Sequence, residues 1–211
     1  INVHFDHEFV GIWQPDEADL AASYGQSPGD IRVRDVTGDG RIGAGDRVIL
    51  GSENPDWSAS LSNRISYRGF DFSFLVYTTQ GRMIFSDAGS TSLSGFINLR
   101  RGYNYNSLNI DYYTPDNPST QYPRPRLRGH QYFTPMGYFD GSFVRVRNIT
   151  LGYTLPPALI NQIGIRNARI HTAIQNPFTW TKDFPGLDPE GAEGHDMPNY
   201  RTFLVGFEVG F

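Results

Sequence analysis

Between Arg201 and Phe211 apolar side chains take every second position. Phe203, Val205, Phe207, Val209 and Phe211 alternate with Thr202, Gly206, Glu208 and Gly210, and Leu204 is the one exception. Successive side chains on a strand point to opposite faces, so this spacing predicts a strand with one strongly apolar face. The same period recurs upstream. Residues 1–13 carry Ile1, Val3, Phe5, His7 and Phe9 on one parity, closed by Trp13, with Asn2, His4, Asp6 and Glu8 on the other. From Trp57 the apolar row is Ala59, Leu61, Ile65 and Tyr67, opposed by Ser58, Ser60, Ser62, Arg64, Ser66 and Arg68. After a compact reversal at Arg68-Gly69 it continues through Phe70, Phe72, Phe74 and Val76, opposite Asp71, Ser73 and Thr79. The run Phe143 to Leu155 slips phase between Val146 and Ile149, which predicts a bulge near Arg147-Asn148. From Ala168 to Trp180, Ile170, Thr172, Ile174, Phe178 and Trp180 face away from Arg169, His171 and Gln175. With the terminal run, six strands are expected.

The connections differ in length. Residues 14–56 read as loop, with a short helical turn over Asp16 to Ala22, and residues 81–141 as one long excursion rich in Gly, Ser, Asn, Pro and Tyr. Residues 156–167 are a short link in which Pro156-Pro157 stops a strand and Ala158 to Gly164 makes a turn or short helix. A loop over 181–199 returns the chain to the last strand. If Phe211 marks a lower rim, Tyr153, Phe70 and Tyr67 fall beside it. Trp180, Phe178, Trp57 and Trp13 then fall at an upper rim, where the three long loops also lie.

Alternating strands suit both a soluble sandwich and a membrane barrel, and the placement of charge is needed to choose. Asp6, Glu8, Arg64, Asp71, Arg169, His171 and Glu208 all lie opposite the apolar row of their own strand; His7 alone breaks the rule. A charge facing lipid at the midplane costs about 2–4 kcal/mol, so such exclusion is expected of a lipid-facing surface. Aromatic residues at both rims, short turns on one side and long loops on the other add to the barrel reading. Composition agrees: 14% of residues are aromatic and 23 are Gly. There is no run of 18 apolar residues, which argues against a transmembrane helix and leaves a barrel open. The net charge of −4 argues against a nucleic-acid partner, and zero Cys rules out disulfides and thiolate metal sites. The chain opens on Ile1, directly in alternating sequence, so a fragment of a larger protein is expected.

The motifs G-I-W-Q, G-D-I-R-V-R-D-V-T-G-D-G-R-I, N-P-D-W-S-A-S-L-S-N-R-I-S-Y-R-G-F-D-F-S, V-R-V-R-N-I-T-L-G-Y-T-L-P and Q-N-P-F-T-W-T-K-D-F-P-G-L-D-P-E follow one another along the chain. In that order, with the aromatic end, they resemble the C-terminal part of SusC/RagA-type TonB-dependent outer-membrane transporters. The resemblance implies an all-β fold: a transmembrane antiparallel β-barrel segment, about six strands of a larger plugged barrel, with long extracellular loops and short periplasmic turns. It places residues 1–211 in the C-terminal part of that barrel, with the plug and TonB box outside this chain. It also implies energised import of glycan or peptide oligomers across the Gram-negative outer membrane, with a SusD-like surface lipoprotein and TonB as partners. The terminal strand resembles the signal read by the barrel-assembly machinery.

Within residues 14–56, D-V-T-G-D-G-R-I-G-A-G-D can be counted as a twelve-residue calcium loop. Asp35, Thr37 and Asp39 take positions 1, 3 and 5, Gly40 the sharp turn, Arg41 a carbonyl ligand, and Asp46 the closing carboxylate. Bound Ca²⁺ would then staple an extracellular loop; the competing reading is a glycine-rich turn held by Asx hydrogen bonds. The long loop over 81–141 offers Tyr103, Tyr105, Tyr112, Tyr113, Tyr122, Tyr132, Phe133, Tyr138 and Phe139, which stack on sugar rings, meet a lid protein or pack on one another. Arg100, Arg101, Arg124, Arg126 and Arg128 either select anionic substrate or are solvated loop charge. No catalytic constellation emerges: the five His are scattered, and Asp188-Pro189-Glu190 reads as a rim loop. The remaining alternative is a soluble calcium-stabilised β-sandwich that binds carbohydrate, with its apolar faces kept dry inside.

Overall fold

The alternation from Trp57 onward builds one antiparallel meander. In the computed structural model, residues 2–86, 111–126, 129–182, 184, 188–191 and 199–211 are described. Their strands are β1 (Val3–His7), β2 (Phe9–Ile12), β3 (Ile31–Val33), β4 (Arg47–Ser52), β5 (Trp57–Tyr67), β6 (Phe70–Gln80), β7 (Met83–Phe85), β8 (Tyr138–Asp140), β9 (Phe143–Thr154), β10 (Asn167–Thr181) and β11 (Thr202–Gly210). Helices α1 (Ala18–Ser23) and α2 (Pro157–Ile160) are short. The chain forms two compact units, the first from Ile1–Asn54 and Met83–Asp140, the second from Pro55–Arg82, Gly141–Gly191 and the terminal strand.

The second unit is a five-stranded sheet in the order β11-β10-β9-β6-β5, antiparallel throughout. Its strands run 11, 11, 12, 15 and 9 residues from β5 to β11 in chain order. About 9–11 tilted residues cross a bilayer core, so the lengths are those of membrane-spanning strands. The β5–β6 reversal places Arg68 and Gly69 at φ 46 and 85, the two left-handed positions of a type I′ hairpin turn. Arg147 is the expected bulge: Leu75 pairs with Asn148 but Val76 pairs with Val146, leaving Arg147 over. The slip restores one apolar face after Val144 and Val146.

The first unit departs from expectation. Residues 1–13, expected as one strand of the large sheet, are two strands with different partners, β1 on β4 and β2 on β3. The change of partner comes at Glu8, whose carbonyl accepts from Arg34 N and whose carboxylate pairs with Arg34 at 3.0 Å. The single parity therefore breaks, and adjacent Ile12 and Trp13 are both buried. The sheet accordingly holds five strands, not six. Trp13 is no rim residue: it stacks on Tyr24, lies under the Arg32 guanidinium at 4.5 Å and donates to Gln26. His7, the apparent exception on the outer row, is buried against the Gly43 carbonyl and the Tyr132 ring. Within 14–56, read as loop, β3 and β4 form beside the expected helical turn, here Pro15–Glu17 and α1. The core of this unit is Ile12, Ile31, Val33 and Tyr113, with Phe9, Ile42, Tyr132, Phe133 and Met136 packed on it.

Candidate functional site

The candidate site is the pair of faces presented by the five-stranded sheet. Register sets their composition. One row runs Tyr67, Phe70, Tyr153, Ile170, Phe207 from β5 to β11; the next runs Ile65, Phe72, Leu151, Thr172, Val205; a third runs Asn63, Phe74, Ile149, Ile174, Phe203. No charged residue occupies this face. It is also uncovered, with Phe207 72% and Phe203 69% exposed. A soluble sandwich buries its apolar face, so this exposure removes the main support for the sandwich alternative.

The opposite face collects the charge. Arg64, Asp71, Arg145, Arg147, Arg169, His171 and Glu208 all lie on it by register or by their contacts. Near the Arg68 turn, Asp71 receives a two-pronged contact from Arg169, whose Nη2 lies 2.9 Å from Oδ2; Arg64 approaches within 3.8 Å and Glu208 pairs with Arg169 at 3.3 Å. Gly152 and Gly206 make room for this cluster. A Cβ on Gly152 would meet Arg169 Nη2 at 2.5 Å, and one on Gly206 would meet the His171 ring at 2.4 Å. Toward the other end Ser58, Tyr77 and Thr79 link their hydroxyls.

The sequence reading missed one element of this face. Asp188-Pro189-Glu190 is more than a rim loop: Asp188 and Glu190 both take hydrogen bonds from Arg145, and Glu190 takes another from Arg147. The Asn199 backbone and side-chain amides close on Asp188 at 2.9 Å. Arg145 is 1% exposed, and two carboxylates compensate its buried charge. Burial pushes the Asp188 carboxyl up, but the N–H groups of Glu190 and Asn199 together with Arg145 outweigh it and hold it below its usual range. Two arginines at alternate positions on one strand, and two carboxylates two residues apart in a loop, were the available signal. Nothing in the spacing joined them.

In the first unit, loop 35–46 is ordered by its own carboxylates. Asp46 is buried and accepts from the N–H groups of Val36, Thr37 and Gly43 and from the Thr37 hydroxyl. The N–H groups of Thr37 and Gly43 lead in lowering its pKa to about 2. Asp35 accepts from Gly38 N, Gly40 N and the Tyr24 hydroxyl. Burial raises its pKa, but the Gly40 and Gly38 amides prevail and it too is lowered. Thr37 Oγ1 sits between the two carboxylates, 3.3 Å from Asp35 and 3.0 Å from Asp46. Asp39 instead accepts from Arg41 N. Among the described residues, no three acidic or imidazole side chains converge as a metal-ligating group.

Most of the described loop aromatics pack within the first unit. Tyr113 is in the core, Tyr112 and Tyr122 share a β-bridge, Tyr132 and Phe133 pack on the core, and Tyr138 lies against His4 and Phe85. Phe139 pairs with Ile84 across β7–β8. Arg124 and Arg126 both bind buried Asp30, at 2.9 and 3.3 Å, and so are committed within the fold. Tyr103, Tyr105, Arg100, Arg101 and Arg128 lie outside the described residues.

No protein-family model matches the chain. Individual proteins do match. TonB-dependent receptor P26 of Formosa agariphila is 30% identical over 97% of this chain, and receptor P3 of the same organism is 28% identical over 100% of it. TonB-dependent receptor SusC of Bacteroides thetaiotaomicron is 29% identical over 84% of the chain. The chain spans only 22%, 22% and 17% of these three relatives respectively. Among solved structures, that of the RagAB peptide transporter matches the fold with a TM-score of 0.73 and 22% identity, covering 100% of this chain and 23% of that one. Identity along nearly the whole chain and a shared strand arrangement agree with the two-faced sheet: the chain is a β-barrel segment and belongs to the SusC/RagA type of TonB-dependent receptor.

Proposed function

We propose that this chain forms part of the wall of an outer-membrane importer, with the apolar face of the sheet against lipid and the charged face toward the lumen. The supporting observation is the register: across five strands every charge lies on one face, while the other is apolar and exposed. The transported cargo is a glycan or peptide oligomer. The RagAB peptide transporter supports the peptide class, and the glycan class rests on the resemblance of the motifs alone. On this reading the whole receptor works with a SusD-like surface lipoprotein and draws energy through TonB. The barrel-assembly machinery recognises strand β11. The test is fluorescence of a label placed at single sites in the complete receptor in bilayers containing brominated lipid. Labels at Leu61, Phe72 and Val205 should be quenched and labels at Ser62, Ser73 and Leu204 should not. Equal quenching of both sets refutes the membrane-wall reading.

Calcium at Asp35, Thr37, Asp39, Arg41 and Asp46 is a separate proposal, supported by sequence spacing and by the grouping of Thr37 with two carboxylates. The observed hydrogen bonds already hold the turn without an ion. Amide protection over 35–46 that falls on chelation at neutral pH supports calcium. Unchanged protection leaves the hydrogen-bonded turn as the full account.

A further inference from the structure

The apolar face is not smooth. In the row Ile65, Phe72, Leu151, Thr172, Val205 the β10 position is the smallest side chain, and its hydroxyl is turned onto the Leu204 carbonyl at 3.1 Å. A groove of about 190 Å³ opens there, lined by Phe70, Leu151, Tyr153, Ile170, Thr172 and Val205, with Gly152 and His171 between them. Its walls are almost wholly apolar because the one hydroxyl in the row has a backbone partner. The groove lies beside the row Tyr67, Phe70, Tyr153, one step from the β5–β6 turn. Arg68 in that turn holds its guanidinium 5.2 Å from the Tyr67 ring centre and forms no ion pair with any described carboxylate. Arg166, which precedes β10, ties its N–H to the Gly210 carbonyl at the same end of the sheet. Acidic side chains are absent from this face, as its register shows.

We propose that this groove is a phospholipid site, taking one acyl chain between β9 and β10 and the lipid phosphodiester at Arg68, with Arg166 adding positive charge. The inference rests on the membrane-wall reading and narrows it to one place and one ligand class. Three features select that ligand. The dry notch accepts a flexible hydrocarbon. Tyr67 and Tyr153 belong to the aromatic band that sits at the headgroup level. The uncompensated guanidinium attracts the phosphate. The short-turn end would lie in the periplasmic leaflet, where phospholipid is the available anion-bearing lipid on this reading.

The experiment uses the complete receptor in nanodiscs of phosphatidylcholine doped with phosphatidylglycerol that carries a photoreactive acyl chain, with labelled peptides read by mass spectrometry. Labelling should concentrate on Leu151 and Thr172 over Leu61 and Val76 of the same face. Arg68→Asn keeps a residue suited to positive φ and removes one charge, so groove labelling should fall about fivefold, the effect of one basic residue near an anionic lipid. Thr172→Phe fills the notch and should abolish the preference; heat-modifiable migration reports whether that variant folds, and Arg68→Asn decides the matter if it does not. Even labelling of the whole face, unchanged by Arg68→Asn, overturns the groove while leaving the membrane wall intact. Absence of lipid labelling anywhere on the face overturns both.

Discussion

Arg169 on β10 reaches Asp71 on β6 across the intervening strand β9, passing directly over Gly152. Its Nη2 stands 2.9 Å from one Asp71 oxygen and 3.1 Å from the other. The contact spans three strands of the sheet, and it is possible because the middle one presents no side chain.

Gly152→Val should therefore break that pair. Its new Cβ would stand 2.5 Å from the guanidinium and 2.6 Å from the carboxylate. Overpacking of this kind costs about 1–3 kcal/mol. Gly210→Ala is the control, since its Cβ meets nothing nearer than 3.7 Å. Heat-modifiability gels of the complete receptor should show less folded protein for Gly152→Val and wild-type levels for Gly210→Ala.

Adjacent positions on β11 test the two faces. Val205→Arg places a charge on the apolar face and should destabilise by about 2–4 kcal/mol if it lies near the midplane. Leu204→Arg places the same charge on the polar face and should be tolerated. Denaturant unfolding in detergent or liposomes measures both, and equal losses would sink the assignment of faces.

Removal of Arg145 should release the Asp188-Pro189-Glu190 turn. Arg145→Ala strands two carboxylates, of which Asp188 is buried, and breaking such a pair costs about 3–5 kcal/mol. Limited proteolysis should then cut within 181–199 at protease levels that spare the wild type. The double variant Arg145→Met, Asp188→Asn should recover part of the protection, because no buried charge is left alone.

The loop 35–46 should loosen in acid. The Asp46 pKa is depressed from 3.8 to about 2, so its stabilising contribution is complete above the ordinary value and drains away as pH falls toward the folded value. Amide exchange across the loop should accelerate between those two pH values, after correction for intrinsic rates. In Asp46→Ala the loop should be loose already at neutral pH, and that pH step should shrink.

Much of the sheet was legible in the sequence because a period of two is local. Phe203 to Phe211, Trp57 to Tyr67 and Phe70 to Val76 each declare their two faces without reference to any other strand, and the phase slip after Val146 declares the bulge at Arg147. The motifs along the chain carried the family. The same period could not say which strands pair. Residues 1–13 alternate as well as β11 does, yet Glu8 divides them between β4 and β3, and His7 and Trp13 belong to the first unit rather than to the five-stranded sheet. Pairing partners are chosen by long-range hydrogen bonds and packing, and these leave no periodic trace. The Arg145 latch onto Asp188 and Glu190, the Arg169–Asp71 pair over Gly152 and the notch at Thr172 have the same origin. Each joins residues far apart in sequence, so each exists only once register has set the strands side by side.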